Sequence, residues 1–386
     1  MLKRTFIQGM QKVLSRTFSS GATKKKIPMT AGIEYIGGEP TLVKDTRDVE
    51  LRGIKLKGRS SDLPAMIFFP DIMDTAENWL SYFLNAPNSI LNYRDVYIVY
   101  PRNFGSSDWC DHVAAEPAED IADDIERFMY TNKLTMATMA GHGFGAKNAM
   151  LVGLYKPHLV TGILAYDYAP QDYTYFRAAK TYQSVLKSVK DIQGLSRMSF
   201  DRFSDHLEDL VQNPKLRSLL EQNFVLKKNG QRGMKFNLDF ILHRFSDLVN
   251  WKMNYGIFGG RTRFIFPEYS EFVFLNSNTL SMMKICVQNG GLHQDINSLP
   301  CYKNDNPEEN HWIYEQPDLI SEASFRTMDF LTKLDGVHVL LKNKAELTEK
   351  IPIPTIRLER ADQVGGLHVP SHFHHNWRFS DNPSLK

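Results

Sequence analysis

The sequence predicts an α/β chain: a mostly parallel sheet flanked by helices, with a helical insertion acting as a cap. Three observations carry this. Strand-like and helix-like segments alternate four times between about residues 65 and 166. A strand ends on the glycine-rich turn Gly141-His142-Gly143-Phe144-Gly145 and passes directly into a small-residue helix. From Tyr173 to about Trp251 the pattern turns helical and charged, with no strand evident. Alternation of this kind favours parallel strands, because each crossover needs a helix to return the chain.

The elements follow in order. Glu50 to Lys57 alternates as a strand does. Ala65-Met66-Ile67-Phe68-Phe69 is a short apolar run stopped by Pro70, which reads as a buried strand. Asp74 can cap a helix running through Trp79 to about Leu84. Val96 to Tyr100 is the next strand, stopped by Pro101. Residues 116–130 read as an acidic amphipathic helix with Ile121, Ile125, Phe128 and Met129 facing inward. Met136 to Ala140 is a strand, followed after the glycine turn by a helix through Ala149, Met150 and Leu154. Leu159 to Tyr166 is a strand. Beyond the cap, Phe272-Val273-Phe274-Leu275 is expected to resume the sheet, Leu292 to Leu299 to end it, and a helix from about Pro317 to Leu334 to close it. Val337 to Leu341 is strand-like. The expected organisation is therefore an N-terminal arm (1–33), a body (34–333, cap about 173–251) and a C-terminal extension (334–386).

Composition narrows the function classes. The 386 residues are 42% hydrophobic and 23% charged, which excludes disordered, collagen-like and coiled-coil chains. No apolar run approaches the ~18 residues that span a bilayer. Three cysteines (Cys110, Cys286, Cys301) are too few for a disulfide scaffold and sit at no zinc spacing. The first 33 residues carry seven basic residues and no acid, which leaves the remainder with 39 bases against 44 acids. A mildly acidic body lacks the basic face of a nucleic-acid binder, so no direct nucleic-acid partner is expected.

The acid-free start has Leu2, Phe6, Met10 and Val13 at helical spacing among Lys, Arg, Ser and Thr. That is the composition of a mitochondrial transit peptide, and the run from Arg16 to Ser20 resembles a processing site. The expected location is the mitochondrion, in the matrix or on the matrix face of the inner membrane.

Four motifs then suggest a family. Arg102-Asn103-Phe104-Gly105, the elbow from Gly141 to Met150, the run Asp167-Tyr168-Ala169-Pro170-Gln171-Asp172-Tyr173, and Asn310-His311-Trp312-Ile313 occur in order, each at an expected strand end. Together they resemble the α/β-hydrolase superfamily, within it the abhydrolase-11-like and YbfF-like esterases, over residues 64–333. There the family has Arg-Asn-His-Gly, Gly-His-Ser-Met-Gly-Gly-Lys, Asp-Ile-Ala-Pro-Val-Asp-Tyr and Gly-His-Trp-Ile.

The resemblance assigns Asp167 and His311 to the acid and base of a catalytic triad and Gly143 to the nucleophile's place. In a G-x-S-x-G elbow the serine Oγ attacks the substrate; glycine has no side chain to do so. The family's oxyanion-loop His-Gly corresponds to Pro70-Asp71, and Phe104 stands where it has His. These departures imply vestigial catalytic positions (Gly143, Asp167, His311), a degenerate oxyanion loop (Pro70, Asp71) and a chain that is not an enzyme. The expected role is that of an accessory subunit of a large mitochondrial assembly, a respiratory-chain complex before the mitochondrial ribosome. Its partners would be other protein subunits, with membrane proximity only through them.

A Ser-independent reaction, with His311 as base and Asp167 orienting it, is the enzymatic alternative; a ligand-binding module is a third. No cofactor and no metal are expected. The tail histidines His368, His372, His374 and His375 have ligand-like spacing but no accompanying acid or Cys, which favours a surface or partner-contacting tail. Ser106 and Ser107 read as turn formers and Cys110 as a reduced thiol.

Overall fold

A computed structural model describes residues 32–350, apart from 45–48, 86–89, 112–116, 252–257, 269, 271, 274–293 and 300–310. The described strands begin with β1 (Ile33–Ile36), β2 (Leu42–Val43), β3 (Gly53–Leu56) and β4 (Ala65–Phe69). Helix α1 (Ala76–Asn85) leads to β5 (Val96–Val99) and β6 (Trp109–Cys110). Helix α2 (Pro117–Thr131), β7 (Ala137–His142), α3 (Phe144–Tyr155) and β8 (Val160–Tyr166) complete the alternating half.

The main sheet has the order β1-β3-β5-β4-β7-β8, continued by β11 (Arg261–Pro267) and β12 (Gln294–Leu299). The pairs from β5 through β4, β7, β8 and β11 to β12 are all parallel, while β1 and β3 join antiparallel at one edge. Every residue of β4, β5 and β7 is buried. Sheets covered on both faces need strands that are apolar throughout rather than alternating, which is why these segments were legible. An aromatic cluster of Phe68, Trp79, Tyr82, Phe83 and Tyr166 fills the space between the sheet and α1.

The cap comprises α4 (Arg177–Asp191), α5 (Phe200–Leu210), α6 (Pro214–Asn223), α7 (Leu238–His243) and α8 (Phe245–Val249). It is not purely helical: β9 (Phe224–Leu226) and β10 (Arg232–Met234) form an antiparallel hairpin. These three-residue strands are shorter than any window in which alternation can be recognised.

Two further expectations are corrected. The sheet resumes at β11, not at Phe272; Phe272 and Val273 lie in an irregular segment, and Phe274 and Leu275 fall outside the described residues. The two arginines of β11 disguised it. Arg263 is buried, paired with Asp329 at 2.8 Å. The closing helix α9 spans Pro317–Lys350, so Val337 to Leu341 is helical and residue 334 marks no break. A short apolar run does not by itself distinguish strand from helix. Helix α2 turns Ile125, Phe128 and Met129 inward as expected, with Ile121 half-buried. Among the described residues no helix is long and apolar enough to cross a membrane. The tail histidines, Cys286, Cys301, Asn310 and the N-terminal arm through residue 31 lie outside the described residues.

Candidate active site

Parallel strands deliver their following loops to one edge of the sheet, and that edge is where sites of this architecture form. Pro70-Asp71 follows β4, Gly143 follows β7 and Asp167 follows β8. Register places Phe69 beside Gly141 and His142 beside Tyr166, so the three loops leave the sheet side by side. His311 joins them from the segment before α9.

Gly143 has φ 54 and ψ −130, the strained strand-to-helix turn at which α/β-hydrolases hold their nucleophile. The turn is tight. A Cβ on Gly145 would stand 2.2 Å from the carbonyl oxygen of Phe69, so glycine there lets α3 approach β4. A Cβ on Gly143 would stand 2.5 Å from Cγ of Asp71. The carboxylate of Asp71 therefore lies against the turn, in the space a side chain at 143 would enter.

Asp71 is held on both oxygens. Phe144 N–H donates to Oδ1 at 2.8 Å and the Tyr182 hydroxyl donates to Oδ2 at 3.0 Å. His311 Nε2 is 3.3 Å from Oδ2. On its other side His311 Nδ1 is 2.6 Å from Asp167 Oδ2. The Ser270 hydroxyl donates to Asp167 Oδ1. The result is a continuous line Asp167–His311–Asp71–Phe144 N–H, every member buried. Phe144 N–H is the amide that follows the nucleophile position, the donor that α/β-hydrolases use in the oxyanion hole.

The electrostatics follow from these contacts. Burial by itself would lower the pKa of His311, but the hydrogen bonds its ring donates to Asp167 and Asp71 and their charges outweigh it and push it up to about 9. Burial likewise opposes ionisation of Asp71, and the bond to His311 with the charge beside it holds its carboxyl below the ordinary range. At neutral pH His311 is therefore an imidazolium and Asp71 a carboxylate. His142, its ring tilted against that of His311 with centroids 4.3 Å apart, is pushed the other way, down to about 3, chiefly by burial and then by the charge of His311.

Asp167 and His311 are brought together as the sequence led us to expect. Pro70 and Asp71 are at the site too, but Asp71 does not merely flank the oxyanion donor; its Oδ1 accepts from it. Phe104 lines a cleft that also takes in Pro70, Asp71, Ile72, Ile121 and Phe144. Ser107 is buried, donating to the Tyr100 carbonyl at 2.6 Å, a structural turn role.

Sequence reasoning missed three participants. Tyr182 belongs to the cap, and nothing in its local pattern marks it. Phe272 stacks on His311 at 4.0 Å between ring centroids and roofs it. His142 lies within the elbow motif, and its place next to the turn is the available signal. Lys147, on the first turns of α3, reaches the cap: its Nζ donates to the carbonyls of Asp247 at 2.7 Å, Leu248 at 3.2 Å and Asn250 at 2.5 Å.

No family model matches the chain. Similar sequences are sn-1-specific diacylglycerol lipase ABHD11 from Danio rerio (24% identical; 47% of this chain and 56% of that protein) and from Mus musculus (24%; 66% and 80%). Another is ethanol acetyltransferase 1 of Kluyveromyces lactis (24% identical; 77% of this chain and 84% of that protein). The chain thus spans little more than half of the zebrafish relative. Among solved structures, a marine microorganism esterase superposes with a TM-score of 0.60 at 22% identity, covering 72% of this chain and 98% of that one. An esterase of M. tuberculosis gives 0.53 at 13%, covering 83% and 97%.

The class defined by fold and site is the α/β-hydrolase fold. The homologues of the chain are ABHD11 and other abhydrolase-domain proteins. These findings correct one expectation. The chain was read as not an enzyme on the strength of Gly143 and the Pro70-Asp71 loop. Its homologues, however, are named as lipases and an acetyltransferase, which overturns that reading.

Proposed function

We propose that the chain is a hydrolase of carboxylic esters that works by acid–base chemistry without a side-chain nucleophile at the elbow. The observation that carries this is the line Asp167–His311–Asp71–Phe144 N–H. In it His311 is a charged acid and Asp71 a carboxylate base, 3.3 Å apart. Asp71 takes a proton from a water, the hydroxide adds to the acyl carbon, the acyl–oxygen bond breaks, and His311 Nε2–H protonates the departing alkoxide. Asp167 holds the ring and stabilises its charge, as the orienting carboxylate of a triad does. The cleft beside Asp71 offers Pro70, Ile72, Phe104, Ile121 and Phe144 to an apolar acyl chain. The names of the relatives support the ester class. Entry of substrate to the pair requires Tyr182 and Phe272 to yield, since they cover Asp71 and His311.

The test is hydrolysis of p-nitrophenyl esters of graded chain length and of diacylglycerol by purified protein. General acid–base groups contribute about 10²–10⁴ in rate. His311→Gln and Asp71→Asn should each lower kcat/KM by at least about 100-fold, and a fluorophosphonate probe should not label the elbow. Folded wild-type protein with no hydrolysis above buffer, or turnover unchanged by both substitutions, overturns the reading.

The setting we propose is the mitochondrion, in association with protein subunits of a larger assembly, a respiratory-chain complex first. It rests on the acid-free basic arm and on the Pro- and His-rich sequence that follows α9. Import of a tagged full-length chain into mitochondria, followed by native gel electrophoresis, tests both. Migration at its own mass refutes the assembly, and a cytosolic signal refutes the location.

A further inference from the structure

We infer that Asp71, His142 and His311 form a binding site for one divalent transition-metal ion of the zinc class. A carboxylate oxygen of Asp71 and one ring nitrogen from each histidine all lie within 4.8 Å of one another. One carboxylate and two imidazoles are a donor set that suits Zn²⁺ and its first-row neighbours, leaving a position for a further ligand. The 3.3 Å between Asp71 Oδ2 and His311 Nε2 equals the spacing of two ligand atoms about 2.0–2.1 Å from a tetrahedral ion, roughly 3.3 Å.

The outer contacts point the same way. A metal-ligating histidine characteristically gives its other ring N–H to a carboxylate or backbone carbonyl. His311 does so through Nδ1 to Asp167. His142 does so through Nε2, which donates to the backbone carbonyl of His311 at 2.7 Å. With that N–H spent, the lone pair of His142 is on Nδ1. This atom is fully buried, with no hydrogen-bond partner. A buried polar atom left unpaired is costly, and a neutral imidazole nitrogen is the commonest metal ligand.

Phe144 N–H and the Tyr182 hydroxyl already fix the Asp71 carboxylate in place, so little ordering remains to be done on binding.

This site shares Asp71 and His311 with the proposed hydrolytic pair. An ion there takes the His311 Nε2 lone pair and the Asp71 carboxylate, and so arrests that chemistry. The inference about inhibition rests on the functional reading; the inference about binding does not.

The test uses the full-length chain with His368, His372, His374 and His375 replaced by Asn, because the tail offers a competing set of imidazoles. Zn²⁺ is titrated calorimetrically, Co²⁺ is followed by its visible absorption, and circular dichroism checks the fold. The expected result is one ion per chain, the intense bands of low-coordinate Co²⁺, and affinity at least about 100-fold weaker in His142→Gln. Asp71→Asn is the second variant if His142→Gln does not fold. Absence of saturable binding in the folded protein, or binding undiminished by the substitution, overturns the site. Ester turnover by protein that binds no Zn²⁺ or Co²⁺ when titrated would leave the hydrolase reading standing and sink this one; saturable ion binding with no turnover in the metal-free protein would do the reverse.

Discussion

Placing a serine at the elbow should destabilise this protein, and the structure says by how much and why. Gly143 sits at φ 54 and ψ −130, where a residue with a Cβ pays about 1–3 kcal/mol of backbone strain. The same Cβ would stand 2.5 Å from Cγ and 2.6 Å from Oδ1 of Asp71. Forcing atoms into a packed interior costs about another 1–3 kcal/mol. Asp71 has little freedom to retreat, being tied to Phe144 N–H, Tyr182 and His311. Gly143→Ser alone should therefore lose about 2–6 kcal/mol.

Asp71→Ala alone should also destabilise, by about 2–4 kcal/mol, since it orphans the Phe144 amide and leaves His311 short of a counter-charge. The double variant should be better than the sum, because the overlap disappears when the carboxylate does. The expected coupling is about 1–3 kcal/mol in its favour. Urea unfolding of the four proteins, followed by tryptophan fluorescence, measures it. Additivity within about 0.5 kcal/mol, or a neutral Gly143→Ser, would show that Asp71 does not occupy the elbow and would remove the basis of the site described here.

Other outcomes follow from the same contacts. The raised pKa of His311, about 9 against an ordinary 6.5, stabilises the fold below pH 6.5 and is lost as pH climbs through 9; in urea midpoints measured from pH 6 to 10, His311→Gln should flatten that decline. The depressed pKa of His142, about 3, acts at the other end: below pH 6.5 the unfolded chain takes up a proton that the folded chain refuses, so stability falls toward pH 3, and His142→Gln should blunt that loss. Lys147→Met strips the carbonyls of Asp247, Leu248 and Asn250 of their donor; faster amide exchange across α8, with the sheet unaffected, is the expected signature. Asp108→Ala leaves the Arg52 guanidinium, now 2.5 Å from Asp108 and buried with it, without its main counter-charge and should cost about 3–5 kcal/mol by urea denaturation.

The sheet was legible wherever its strands are buried on both faces, because β4, β5 and β7 then read as unbroken apolar runs. It was illegible at β11, where the buried Arg263 pairs with Asp329 of α9, sixty-odd residues further along the chain. The glycines of the elbow, and the Asp and His that meet at 2.6 Å, could be named from motif order alone. The elbow and Asp167 sit at strand ends, which are local features, and His311 lies just before the closing helix.

What the motifs could not supply was the position of Asp71. A sequence shows that an acid follows β4; it does not show that the acid's carboxylate lies over Gly143 and takes the Phe144 amide. That depends on the register of β4 against β7, on Tyr182 arriving from the cap and on Phe272 closing over His311. From its residues alone, then, this chain determines its strands, its turn and its acid–base pair, because periodicity and glycine conformation act over a few neighbours. The charge state of that pair, and what fills the space a nucleophile would take, were decided only when segments more than a hundred residues apart were packed together.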